Sequence, residues 1–188
     1  MALMIIRGVG LIQRVDETSI GVIDDAKASS EDGLTINHEY VDLRGFDPIV
    51  LKDALDFESQ AFSRLEATNF SDDSIGTIDE EWLEAYIVPA VDFGIGSAVI
   101  ALSALGCIPI SSCRGASLGD GHRHPAPCVS FYPATASVGL IIDTARASGI
   151  SIENNSDMLE IYSADLRKMH LFARNVLSHL ETQPLTGQ

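Results

Sequence analysis

The sequence predicts an α+β protein: an antiparallel sheet built from two αββ-like units with helices on one face, plus a small N-terminal β-rich part. Three observations lead there. The second half alternates helical and strand periodicity in the order helix-strand-strand, helix-strand-strand, helix. One helix of that half is apolar nearly all round, which places it at the centre of the fold. The first forty residues carry β-branched runs broken by glycines.

Taken in order, Met4–Val15 reads as a strand, with Gly8 and Gly10 marking a bulge or a close backbone approach. Ile20–Ile23 and Leu34–Val41 read as further short strands around a polar loop at Ala26–Gly33. Asp47-Pro48 is a helix start, an N-cap followed by proline at the first helical position. Val50, Leu51, Leu55, Phe57, Ala61, Phe62 and Leu65 then recur on one face, and the helix ends near Glu66 to Thr68. After a loop at Asn69–Gly76, Thr77-Ile78-Asp79-Glu80 fits a capping box for a second helix carrying Trp82 and Tyr86. Pro89 interrupts it. The apolar third helix covers Ala90 to Leu105, closed by Gly106.

Cys107–Ser112 and Cys128–Tyr132 read as strands. Thr135–Ser148 reads as an amphipathic helix stopped by Gly149. Ile150–Asn154 and Met158–Ser163 form a strand pair turning at Asn154-Asn155-Ser156-Asp157. Asp165 caps a last helix that runs to about Leu180. One domain over residues 1–188 accommodates these elements, with a subdivision into an acidic part at 1–76 and the αββαββα part at 77–188.

The formal charge of −15 is uneven: Asp16 to Asp92 holds twenty acids against four bases. Such a surface repels nucleic acid and anionic membrane, and it suits a basic protein partner. Three cysteines without a CxxC pair argue against a disulfide framework, so a reducing cytoplasm is the expectation. Phe93 to Ser112 runs twenty residues without a charge. Its glycines, serines and Pro109 make it a buried helix followed by a buried strand rather than a membrane span.

Chemistry gathers between Ser112 and Cys128, on a glycine-rich loop with two cysteines, two histidines and two arginines. Three readings compete there. Cys113, His122, His124 and Cys128 are ligand types that zinc prefers, though spaced as Cys-x8-His-x-His-x3-Cys rather than in close pairs. Cys113, at a strand end beside Arg114, is a candidate nucleophile with His122 or His124 as base, which makes a small hydrolase-type enzyme the alternative. Gly115, Gly119 and Gly121 free the backbone to hold a small anion, with Arg114 and Arg123 supplying charge. Asp92 is a candidate buried carboxylate facing this loop or a local cap. The favoured reading is an acidic binding protein whose loop takes a ligand or a metal.

Locally, Ser111-Ser112-Cys113-Arg114-Gly115 resembles the Ser-Cys-Ser-Gly-Arg loop of the wybutosine-synthesising tRNA methyltransferase family. The resemblance is confined to that loop, and here the arginine precedes the glycine.

Overall fold

The computed structural model describes residues 9–23, 44, 47–85, 91–118 and 124–182. Its elements are β1 (Gln13–Arg14), α1 (Pro48–Ala67), α2 (Asp72–Ala85), α3 (Gly96–Ala104), β2 (Ile108–Cys113), β3 (Cys128–Tyr132), α4 (Val138–Ser148), β4 (Ser151–Asn155), β5 (Met158–Tyr162) and α5 (Leu166–Thr182). The class is α+β. The five strands form one sheet in the order β1-β4-β5-β3-β2.

The sheet is mixed, not purely antiparallel. β2–β3, β3–β5 and β4–β5 are antiparallel, but β1 runs parallel to β4. The described N-terminal strand therefore extends the main sheet. Two side chains of β4 help fasten it. Ser151 Oγ accepts from the Ile12 amide at 2.9 Å, and Asn154 Oδ1 accepts from the Asp16 amide at 2.7 Å. Within Met4–Val15 the strand shrinks to Gln13–Arg14 among the described residues.

Ile20–Ile23 is not a strand. Val22 points into solvent, and the Gly21 amide donates to the Asp157 carbonyl at 2.6 Å, so the segment crosses the β4–β5 turn instead of pairing. Leu34–Val41, Tyr86 and Pro89 lie outside the described residues.

α1 begins as its sequence dictates: Asp47 caps the Ile49 amide at 2.9 Å and Pro48 opens the first turn. Its end is tight. The Phe70 amide reaches back to the Leu65 carbonyl at 2.8 Å, and Asn69 and Phe70 adopt positive φ. α2 starts at Asp72, not Thr77, because Ser71 takes the capping position and accepts from the Ser74 amide at 3.3 Å. Thr77 instead donates to the Asp73 carbonyl at 2.8 Å as an interior residue. α3 starts at Gly96 rather than Ala90. Gly94 stands at φ 87°, which breaks a right-handed helix, and the Val91 carbonyl accepts from the Trp82 indole at 2.8 Å.

α3 has no water-facing side before its last residue: Gly96 through Ser103 are all buried. Gly96 is required there, since a Cβ would lie 2.4 Å from the Trp82 ring. The start of α3 lacks a cap of its own. Glu58, fully buried on α1, supplies it from a distance. Its Oε1 accepts from the Ser97 amide at 3.1 Å and its Oε2 from the Ser97 hydroxyl at 2.6 Å. His170 of α5 approaches the same Oε2 with Nδ1 at 3.2 Å. Phe57, Phe62, Trp82, Phe93 and His170 pack around this junction in edge-on contacts, with the Phe62 and Phe93 rings tilted. Each fully buried large apolar side chain contributes about 1.5–3 kcal/mol.

The apolar cluster continues without a break into Val129, Phe131, Ile152, Leu159 and Ile161 of the sheet. Residues alternating with them on β4 and β5 (Glu153, Glu160, Tyr162) are half-exposed. Among the described residues, no helix is long and apolar enough to cross a membrane.

Replacing Glu58 by alanine strands two donors of Ser97 and the His170 ring in a dry core. The expected loss is about 3 kcal/mol or more in urea unfolding, with Glu58→Gln losing less because one acceptor survives. A loss below about 1 kcal/mol for Glu58→Ala would contradict this account.

Candidate functional site

The loop between β2 and β3 is anchored at both ends. Arg114, buried, clamps Asp79 of α2 with both guanidinium nitrogens, one of them at 2.8 Å. The Arg114 amide donates to Asp92 Oδ2 at 3.2 Å. Asp92 thus faces the loop and holds its first residue. Gly115 follows at φ 65°, and a Cβ there would lie 2.4 Å from the Ala126 carbonyl carbon. Glycine is needed at this point because the two arms of the loop touch. The far arm is tied to the sheet through the Pro127 carbonyl, which accepts from the Ser163 amide at 3.1 Å.

Cys113 and Cys128 are register partners across β2 and β3. Both are buried reduced thiols, and Cys113 Sγ accepts from the Gly115 amide at 3.3 Å. Burial, and after it the charge of Glu160, pushes the Cys128 thiol up to about 12. Cys128 is therefore a neutral thiol at physiological pH, not a nucleophile. Cys107 lies away from the site at the start of β2, and burial likewise pushes it up to about 12.

Beside the loop, the half-exposed row of β4 and β5 forms the floor of a pocket of about 210 Å³. His124, Pro125, Ala126 and Cys128 come from the loop side, and Glu153, Glu160 and Tyr162 from the sheet. Glu153 and Glu160 stand directly opposite each other in the hairpin. Like charges placed so are destabilising. Neutral donors moderate the repulsion. Tyr162 Oη donates to Glu153 Oε1 at 2.7 Å, Ser130 Oγ donates to Glu160 Oε2 at 2.7 Å, and Asn155 Nδ2 donates to that same oxygen at 3.1 Å. Burial and then the Glu153 bond push the Tyr162 hydroxyl up to about 12, so it stays a donor. Among the described residues, Glu153 Oε2 and Glu160 Oε1 accept no hydrogen bond and neither carboxylate forms an ion pair, although Arg14 of β1 is the register neighbour of Glu153.

Of the residues singled out in the sequence, the fold brings Cys113 against Cys128 and places His124 with Cys128 at one pocket. It turns Arg114 away onto Asp79. Gly119, Gly121, His122 and Arg123 lie outside the described residues. Among the described residues, no three histidine, cysteine, aspartate or glutamate side chains converge as a metal site would require. Glu153, Glu160 and Tyr162 did not stand out in the sequence. The signal was present, since a two-residue turn at Ser156-Asp157 forces positions 153 and 160 to face each other.

No family model matches the chain, and neither a curated protein nor a solved structure does. The local likeness at Ser111–Gly115 therefore carries no family assignment.

Thiols and a phenol held neutral in the fold ionise at lower pH once unfolded. Their contribution to stability is complete below about pH 8, and it is lost as pH rises from there toward about 12. Unfolding midpoints measured from neutral to alkaline pH should fall over that window. In folded protein near pH 8, alkylation of Cys107 and Cys128 should run at least about a hundredfold slower than in urea. Rapid labelling of Cys128 in the folded state would contradict its burial.

Proposed function

We propose that this is a binding protein whose ligand enters the pocket beside the 112–128 loop, and that the ligand is a small organic cation with an apolar body. The observation that carries this reading is the Glu153–Glu160 pair: two facing carboxylates, each with an oxygen that accepts no hydrogen bond and neither in an ion pair among the described residues, although Arg14 neighbours Glu153 in register and His124 lines the pocket. An ammonium or guanidinium group set between them would relieve the repulsion and fill both open acceptors. Hydrogen bonds to charged groups are worth roughly 1.5–3 kcal/mol each. Val9, Pro125, Ala126 and Cys128 offer the apolar wall that such a ligand's body needs. The anion reading of the loop loses its one described arginine to Asp79.

We also infer that α3-β2-β3 and α4-β4-β5 are two αββ-like units with their helices on one face of the sheet. This would leave the opposite face for the ligand, and the burial alternation on β4 and β5 supports it. The acidic segment from Asp16 to Asp92 would draw cations, or a basic protein partner, toward the chain in a cytoplasmic setting.

The hydrolase-type reading, with Cys113 as nucleophile or with zinc, is a second proposal. It rests on Cys113 facing Cys128 in register, with His124 at the same pocket. Metal analysis separates the two: one zinc per chain, lost in Cys113→Ser, would favour it over the binding reading.

Calorimetric titration with butylguanidinium and benzylamine, against butyrate as the matched anion, tests the proposal. The cations should bind and butyrate should not. Glu153→Gln together with Glu160→Gln should weaken cation binding by at least about tenfold. Equal affinity for butyrate, or cation binding indifferent to both substitutions, would overturn it.

A further inference from the structure

A second hollow, of about 270 Å³, lies between α1 and α5, away from the pocket on the sheet. Ser59, Ser63 and Glu66 line it from α1, and Arg167, His170 and Arg174 from α5. His170 forms its inner wall and is buried. Its two ring nitrogens are both engaged: Nδ1 lies 3.2 Å from Glu58 Oε2, and Nε2 lies 2.9 Å from Arg174 Nη2. A guanidinium carries only donors, so Nε2 must present its lone pair and Nδ1 must carry the proton toward Glu58. In this state the ring is neutral. The positive charge that answers the buried carboxylate sits one residue further out, on Arg174.

Among the described residues, Arg14 and Lys168 also form no ion pair, but Arg174 alone of the arginines contacts an imidazole. Arg64, Arg114, Arg146 and Arg167 each rest on a carboxylate. With twenty-seven acids for twelve lysines and arginines, carboxylates are plentiful. Yet Arg174 meets a neutral imidazole and, among the described residues, no acid. It has no charged partner of its own at the mouth of a hollow.

We propose that this hollow binds a small oxyanion, a phosphate-like group or a carboxylate, held by Arg174 and by His170 after the ring takes up a proton. The anion draws the guanidinium off Nε2 into a two-pronged contact. The vacated nitrogen then has Glu58 behind the ring and a negative group in front, both of which favour the imidazolium. Protonated, Nε2 becomes a second donor to the anion, and one proton is bound with each anion. The other charged groups facing His170 are Glu66 on α1 and Arg167 on α5. These pair with each other at 3.3 Å, and Asp165 holds Arg167 as well, so neither drives the exchange. The Ser59 and Ser63 hydroxyls complete a polar wall on the α1 side.

The test is calorimetric titration of the whole chain with sodium sulfate, which does not titrate near neutrality, in two buffers of different ionisation enthalpy. Sodium acetate serves as the carboxylate arm. Binding should tighten about tenfold or more from about pH 7.5 to about pH 5.5, with roughly one proton taken up per anion. Arg174→Gln should abolish binding of either anion in protein that still unfolds in a single cooperative transition, because the Glu58–His170 contact remains. His170→Gln keeps a donor toward Glu58, so it should retain weak binding and lose the proton uptake. A preference between sulfate and acetate names the source. No binding of either ion, binding indifferent to Arg174→Gln, or proton uptake that survives His170→Gln would each overturn the proposal.

Discussion

Glu58 is the constraint on which the helical layer depends. α3 is buried on every side before its last residue, so its first amides have no water to turn to. A carboxylate from α1 meets the Ser97 amide and hydroxyl, and the ring of His170 from α5 meets the carboxylate. Three helices distant in sequence are thereby locked at one point. Apolar packing alone would hold them together, but it is non-directional and would leave their rotation and register open. The buried polar junction fixes both, because any slip leaves a charge without partners in a dry interior.

The sheet inherits that rigidity. α3 leads directly into β2, and the Leu105 carbonyl accepts from the Ser137 hydroxyl at 2.7 Å just before α4. The core rows of β3, β4 and β5 join the helical cluster, and the alternating residues are left to line the pocket. The position of Glu153 and Glu160 is thus set by the opposite side of their own strands. A one-residue slip would bury both carboxylates and expose Ile152 and Ile161, a change the core forbids.

What could be read from the residues were the features with local causes. Asp47-Pro48, Gly149 and the 154–157 turn each act within a few residues, and the structure places helix ends and a turn there. Features with distant causes were not legible. The parallel pairing of β1 with β4 joins residues almost 140 positions apart, and no local pattern encodes it. Glu58 sits among helical polar residues with nothing to mark it as buried until α3 and α5 are in place. At the site, the loop drew attention by composition, yet its described arginine and glycine serve to pin the loop down. The facing glutamates are encoded in the turn length, because a two-residue turn at Ser156-Asp157 sets positions 153 and 160 opposite each other.

The distribution of cations explains why a chain so acidic carries hollows of opposite polarity. Most described arginines are drawn onto carboxylates at helix and loop junctions, where they hold elements together. On β4 and β5 the hydrogen bonds to the glutamates come from neutral hydroxyl and amide donors, and Arg14, the register neighbour of Glu153 on β1, forms no ion pair with it. Arg174 is the converse, a cation kept from the surrounding acids by its contact with an imidazole whose other nitrogen faces a carboxylate. Both hollows follow from one rule. Where a charge is held by neutral partners, the interaction is weaker than an ion pair, and a ligand of opposite sign can complete it.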